Sequence, residues 1–250
     1  MRPISQAADQ MMVDLGLGPL RMFPLDAYRL ADRIVQFTVP EFEYPRSDAP
    51  AHLTFAGPLL DAAPRFELPP WWADLESGQP VVHVTQGTLD NVDLSKVIEP
   101  TITALADKDL LVAVATGGRP VSELRMTLPD NVRVAEMLPY AELLPRTDVM
   151  VTNGGYGGVQ MALAHGVPLV VAGAKEDKPE VAGRVAWSGS GVNLRAERPK
   201  LEAIANAVTD VLAKPRYRDN ARRLADAIFK TNPLHTLDEI LTDTSGRPSQ

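Results

Sequence analysis

The stretch Val149-Met150-Val151-Thr152-Asn153-Gly154-Gly155-Tyr156-Gly157-Gly158 decides how the rest of the chain is read. Its first four residues have the apolar, β-branched composition of a buried strand. The last six, four of them glycine, lead into an apolar helical run that ends at His165-Gly166. A backbone crossing from strand to helix needs glycine where φ is positive or packing is tight. A phosphate needs the same bareness for another reason: unpaired N–H groups at a helix N-terminus, together with the helix dipole, favour negative charge. The loop alone leaves these two readings level.

On both sides of it, short β-rich runs alternate with helical segments. Val81 to Thr85, Leu110 to Ala115, Val132 to Ala135, Leu169 to Ala172 and Val192 to Leu194 read as further strands, with a helix through Val97, Ile98 and Leu105. Helices follow from Pro199 to Leu212 and from Tyr217 to Phe229, broken at Pro215. This alternation predicts an α/β fold, a Rossmann-like doubly wound parallel sheet covered on both faces.

Ligands of such a sheet bind beyond the carboxyl ends of its strands, so the residues just after each run carry the information. They are Gln86-Gly87-Thr88, Thr116-Gly117-Gly118, Glu136-Met137-Leu138-Pro139, the glycine loop, and Gly173-Ala174-Lys175-Glu176-Asp177-Lys178. Glycines and small hydroxyls at successive strand ends suit a cleft where ligand phosphates approach the backbone, and Asp177 offers an acceptor for ligand hydroxyls. Together they favour the phosphate reading over turns alone.

A dinucleotide site competes, because Asp177 follows the glycine loop at the distance of an acidic ribose ligand. However, Gly154-Gly155-Tyr156-Gly157-Gly158 is not G-x-G-x-x-G, and the loop follows a late strand. His52, His83, His165 and His235 lack zinc-ligand spacing, and no G-x-S-x-G elbow or Walker loop occurs. Arg184 and the cluster Arg216, Arg218, Arg222 and Arg223 read as solvated helix faces.

The N-terminal quarter has a different texture. Ile4, Ala8, Met11, Met12 and Leu15 recur at helical spacing before Gly16, which predicts an amphipathic helix with a core-facing stripe. Asp26 is placed to cap a short second helix, and strands are expected at Ile34 to Thr38 and His52 to Ala56. From Gly57 to Pro70 four prolines and no sustained period predict an extended linker, and Trp71-Trp72 dock it onto a domain surface.

The totals bound the answer. With 250 residues, 45% hydrophobic content and mean hydropathy of -0.09, the chain holds one large or two small packed units. A net charge of -7 argues against nucleic acid or an anionic membrane as the main partner. The absence of cysteine excludes disulfides, thiol nucleophiles and cysteine-bound metal, and suits a reducing compartment. Met1 to Gln6 lacks a signal-peptide core and no apolar run approaches a membrane span of about 18 residues, so a cytoplasmic protein is expected.

With these segments in order, the chain resembles the nucleotide-sugar-dependent glycosyltransferases of the GT-B fold, the type that decorates natural products, lipids and macrolides. The resemblance runs from about Phe42 to Leu241. It is carried by Tyr44-Pro45-Arg46 through Phe55-Ala56-Gly57-Pro58, Val82 to Thr88, Met137-Leu138-Pro139 through Leu143-Leu144-Pro145, Asp148 to Gly158, Gly166-Val167-Pro168, and Asp177-Lys178-Pro179 through Ala182 and Arg184-Val185. It implies a donor-binding C-terminal domain over residues 80–244, preceded by a remnant of an acceptor domain at 1–60 and a linker at 61–79, with a flexible tail at 245–250.

The resemblance further implies a UDP- or dTDP-sugar as co-substrate, a small-molecule or lipid acceptor, and neither a cofactor nor a metal. Gly87 and Thr88 would lie near the diphosphate, and Met137 with the Leu138 backbone would border the base. Amides around Gly155, Gly157 and Gly158 would hold the phosphates, with Asp177 and Lys178 at the sugar hydroxyls. Two positions depart from the family pattern: Asn153 replaces the usual histidine and Lys178 the usual glutamine. Asn153 keeps an amide to donate to phosphate. For Lys178 three roles stay open: supplying charge to the diphosphate, favouring an acidic sugar, or pointing to solvent. The family's catalytic base belongs to the acceptor domain, and no residue here fills its role. The alternative is therefore a non-catalytic nucleotide-sugar-binding module or a truncated product completed by a partner chain, with an exposed apolar surface where the missing half would pack.

Overall fold

Helical spacing of the first apolar residues produces α1 (Arg2–Asp14) in the computed structural model, which describes residues 2–20, 22–60 and 67–245. The chain divides into two units, one of Met1–Phe37, Pro45–Ala56 and Asn232–Gln250, the other of Thr38–Tyr44 and Gly57–Thr231. In the first unit, β1 (Ile34–Gln36) and β2 (Leu53–Phe55) pair in parallel over three residues each, all half-buried. Three of the five residues of the expected core stripe of α1 are instead solvent-facing: Ile4, Met11 and Leu15 are 55%, 65% and 66% exposed, while Ala8 and Met12 are half-buried. The spacing gives the amphipathic helix correctly, but a sheet of two three-residue strands offers too little apolar surface to bury it. Asp26 does not cap a helix; Phe23 holds that position and Asp26 lies inside a short 3-10 turn, Pro24–Leu30.

The second unit is built on six strands, β3 (Val81–Thr85), β4 (Leu111–Ala115), β5 (Val132–Ala135), β6 (Val149–Thr152), β7 (Leu169–Val171) and β8 (Gly191–Asn193), all parallel. Their order across the sheet is β5-β4-β3-β6-β7-β8. Chain order therefore runs outward from β3 to one edge, then returns and runs outward from β6 to the other, which is the doubly wound arrangement. The six fall where the sequence places them, to within one residue at each end.

Side-chain alternation builds the two faces. Val82, Val84, Val112, Val114, Val149, Val151 and Val170 point to one side, against α2 (Ile98–Leu105) and α6 (Leu201–Ala213), through Ile98, Ile102, Ile204 and Val208. On the opposite side, Met150, Leu169 and Val171 pack against α4 (Tyr156–Ala164), α5 (Lys178–Trp187) and α7 (Pro215–Phe229). Val81, Leu111, Ala113 and Ala115 continue that face with Leu143 of the short helix α3 (Tyr140–Leu143) and the rings of Trp71 and Trp72. Burial on both faces is what makes these strands near-continuous apolar runs. Trp71 donates from Nε1 to the Val134 carbonyl at 3.1 Å, so the pair docks on the sheet as expected. Part of the expected linker, residues 61–66, and all but one residue of the tail, 246–250, lie outside the described residues.

Arg218 and Arg184 are less solvated than the sequence suggests, while Arg216, Arg222 and Arg223 are exposed as expected. Arg218 on α7 donates to the carbonyls of Thr147 and Asp148 and to the Asp148 carboxylate (3.0 Å), whose other oxygen accepts from the Val81 N–H at 2.9 Å. Burial lowers the pKa of its guanidinium. Arg184 likewise pairs with Glu43 at 2.7 Å and lies over the Tyr44 ring. The last helix, α8 (Pro233–Ser245), belongs to the first unit. Among the described residues no helix is long and apolar enough to cross a membrane.

Candidate functional site

The winding reverses between β3 and β6, so the loop after β3 leads to α2 on one face and the loop after β6 to α4 on the other. Diverging loops open a crevice at the carboxyl end of the sheet. The two loops are tied across it: Asn153 Nδ2 donates to the Gln86 carbonyl at 2.7 Å, while its Oδ1 accepts the Gly155 N–H at 3.4 Å. Asn153 thus spends its amide on holding the crevice in shape.

The two helix N-termini at this crevice are treated differently. At α2, the buried Gln86 side chain accepts the N–H groups of Val97 and Ile98, both at 3.0 Å, and donates to the Asp93 carbonyl at 3.0 Å. At α4, Gly155 holds the cap position with no side-chain cap, and the first helical bond runs from Val159 N–H to Gly155 O at 3.1 Å. The amides of Tyr156, Gly157 and Gly158 precede it in a first turn that has no carbonyls behind it. Gly157 also has open space where a Cβ would stand. Gly154 does not: its φ is +89°, and an added Cβ would come within 2.8 Å of Val171 Cγ1. Glycine therefore serves both purposes in this loop, a strained turn at Gly154 and an uncovered helix end at Gly157.

The neighbouring strand ends complete the rim. Asn91 Nδ2 donates to the carbonyls of Thr116 and Gly117 at 3.0 and 2.9 Å, and Gly117 lies so close that a Cβ would come within 1.9 Å of the Gly87 oxygen. Thr88 is exposed beside Gly87, Met137 is partly exposed after β5, and the Leu138 side chain is in the core, leaving only its backbone near the rim. Beneath the sheet end, His83 is fully buried between the Ala113 carbonyl (2.9 Å from Nδ1) and the Tyr140 hydroxyl (3.0 Å from Nε2). Burial lowers its pKa to about 4, and burial raises that of Tyr140 to about 12, so both are neutral near pH 7.

A shallow cleft next to the glycine loop is lined by Asp90, Lys96, Asn153, Gly173, Lys178 and Glu197, among others. Of the residues expected from the sequence, it brings together Asn153 and Lys178; Gly87, Thr88, Met137, Leu138, Gly155, Gly157, Gly158 and Asp177 lie outside it. Asp177 is exposed at the start of α5 and makes no capping bond. Lys178 is buried and pairs with Asp90 at 2.8 Å and with Glu176, which removes the solvent-pointing role. Burial alone depresses the Lys178 pKa, but hydrogen bonds to Asp90 and Glu176 outweigh it and hold the ammonium above its usual range. Lys96 joins Asp90 at 2.9 Å to Glu197 at 3.1 Å, and Lys175 completes the chain to Glu197 at 3.0 Å. Hydrogen bonds from Lys178 and Lys96 lower the Asp90 pKa, and those from Lys175 and Lys96 lower that of Glu197. Asp90, Lys96 and Glu197 escaped the sequence reading because they come from two loops separated by about a hundred residues and carry no local motif.

The Erythromycin biosynthesis protein CIII-like C-terminal domain model matches residues 99–240, more than half of the chain. The chain belongs to this family. It is similar to 4'-demethylrebeccamycin synthase of Lentzea aerocolonigenes, 50% identical over 228 residues that cover 90% of this chain and 53% of that protein. UDP-glycosyltransferase 2 of Phaeomoniella chlamydospora is 41% identical over 200 residues, 77% of this chain and 44% of that one. The chain thus spans about half the length of these curated relatives. Its fold is shared with the calicheamicin glycosyltransferase CalG4 (TM-score 0.73, 23% identity, 95% of this chain and 59% of that one). It is also shared with the spinosyn rhamnosyltransferase SpnG complexed with thymidine diphosphate (TM-score 0.72, 21% identity, 95% and 62%). The doubly wound sheet is accordingly that of GT-B natural-product glycosyltransferases.

Proposed function

We propose that this chain is the donor-binding part of a glycosyltransferase that moves a sugar from a UDP- or dTDP-sugar to a small-molecule or lipid acceptor. The observation that carries the reading is the uncapped N-terminus of α4 at the switch point of the sheet. Amides of Gly155, Gly157 and Gly158 would bind the diphosphate there, with Gly87 and Thr88 across the crevice and Met137 and the Leu138 backbone at the base. Fixed N–H groups aimed at the departing diphosphate stabilise the charge that develops as the glycosidic bond breaks, without reorganising during the step.

The relatives' names support the reaction class, and the family resemblance supports a division of labour. In that division residues 80–244 bind the donor, residues 1–60 are the end of an acceptor domain joined through 61–79, and the base that deprotonates the acceptor comes from outside these residues. A nucleotide-sugar-binding module completed by a partner chain is the second reading, and it rests on the lack of a residue here to act as the acceptor's base. The test measures UDP and dTDP binding and sugar transfer on one purified preparation. Binding without turnover supports a donor portion that needs a second part. Turnover by this chain alone would sink that division, and absence of any nucleotide binding would sink the proposal.

A further inference from the structure

We propose that Asp90 reads the transferred sugar: Lys178 and Lys96 hold its carboxylate as a fixed acceptor for a sugar hydroxyl, and the donor sugar is neutral rather than acidic. This rests on the donor-binding reading above. The sequence leaves open whether Lys178 favours an acidic sugar, and the geometry decides against it. The ammonium carries three N–H donors; its side chain is 6% exposed and bonded to carboxylates of both Asp90 and Glu176. A sugar carboxylate would have to displace one of them.

The surrounding charge gives it no better welcome. Lys96, Lys175 and Lys178 are matched by Asp90, Glu176 and Glu197 in one continuous network. Asp177, exposed beside it, tips the local balance negative. An added carboxylate would meet like charge in a partly desolvated cleft, where repulsion is screened less than in open solvent.

Asp90 itself is suited to a hydroxyl. Each of its oxygens takes one ammonium, Oδ1 from Lys96 at 2.9 Å and Oδ2 from Lys178 at 2.8 Å. A carboxylate has about four lone-pair sites, so each oxygen keeps capacity for a further O–H donor. The side chain is 32% exposed, and it lines the same cleft as Asn153, the residue that opens the glycine loop. A sugar attached to phosphates on α4 would lie toward this cleft, facing an acceptor whose orientation two ion pairs have already fixed, at little ordering cost on binding.

The test is calorimetric titration of the 250-residue chain with UDP, UDP-glucose and UDP-glucuronate, and with dTDP and dTDP-glucose, for the native chain and for Asp90→Asn and Lys178→Gln. The native chain is expected to bind UDP-glucose at least about tenfold more tightly than UDP-glucuronate. In Asp90→Asn the ratio of hexosyl-nucleotide to nucleotide affinity is expected to fall about tenfold. Lys178→Gln, the family's more usual residue, should lower the same ratio less and narrow the discrimination against glucuronate. If Asp90→Asn does not fold, judged by thermal melting, Lys178→Gln carries the test. A loss shared equally by UDP and UDP-glucose shows a structural role and overturns the assignment, as does native binding of UDP-glucuronate as tight as that of UDP-glucose. Absence of binding by every nucleotide overturns the donor reading with it, so the two failures are distinguishable.

Discussion

Two helices begin at the same crevice, and the chain finishes them in opposite ways. The N-terminus of α2 is closed from within, because Gln86 supplies an acceptor for two of its amides. The N-terminus of α4 carries glycine at the cap and in its first turn and is left uncapped. Both ends have the same dipole and the same need for a partner. One is satisfied by the protein, and the other is arranged so that a ligand can satisfy it. A substitution at the first should therefore change stability, and one at the second should change binding.

The largest expected effect is at the closed end. Gln86→Leu leaves two backbone amides and the Asp93 carbonyl without this partner inside the protein, at a cost of about 3 to 4 kcal/mol. That should lower the melting temperature by about 6 to 16 °C, readable by calorimetry. A change of under about 1 kcal/mol would mean that α2 does not depend on this cap.

Acid response comes next and must be separated from the site. The folded His83 pKa, about 4, lies below the ordinary 6.5, so its contribution is fully present above pH 6.5 and is lost as pH falls toward 4. Roughly 3 kcal/mol is lost across that window, and His83→Gln should flatten it. The Asp90 pKa is also depressed, so the charged network contributes above the unfolded carboxylate pKa of about 3.9 and gives way only at lower pH. Melting temperatures recorded from pH 7 to pH 3 would resolve the two windows; an unchanged slope between 6.5 and 4 in His83→Gln would contradict the assignment.

At the open end the signs divide. Gly157→Ala adds a methyl group in free space on a helical residue, which should stabilise the fold by about 0.5 kcal/mol. The same methyl stands where phosphate would approach, so nucleotide affinity should fall about tenfold. Stability and binding falling together would show that α4 is no different from α2. The smallest effect belongs to the charged network: raising ionic strength from about 0.05 to 0.5 M should cost about 1 kcal/mol of stability or less, since most of its carboxylates reach solvent.

How much of this was legible in the sequence follows from the range of the interactions. The strands could be read because each of the central ones is buried on both faces and so must be apolar along its length, as in Val149 to Thr152. The switch-point loops could be read because their glycines stand at fixed offsets from those strands. The α1 stripe was misjudged because periodicity reports a helix's apolar face without saying what covers it. Gln86 as a cap, Arg218 as an anchor and Asp90 between two lysines were out of reach, since they depend on partners 6 to 88 residues away that no local motif marks and folding brings together. For Lys178 the sequence supplied a substitution with three meanings, and its burial against Asp90 and Glu176 removed the solvent-pointing one.

The central claim is that the amides opening α4 are the phosphate site, and amide chemical shifts test it most directly. Titrating UDP into the nitrogen-15-labelled chain is predicted to move the resonances of Gly157 and Gly158 in saturable fashion, and that of Gly155 less because its N–H already reaches Asn153 Oδ1 at 3.4 Å, while Val97 and Ile98, bonded to Gln86 at 3.0 Å, stay nearly still. Saturable shifts elsewhere with those three glycines unmoved would contradict it.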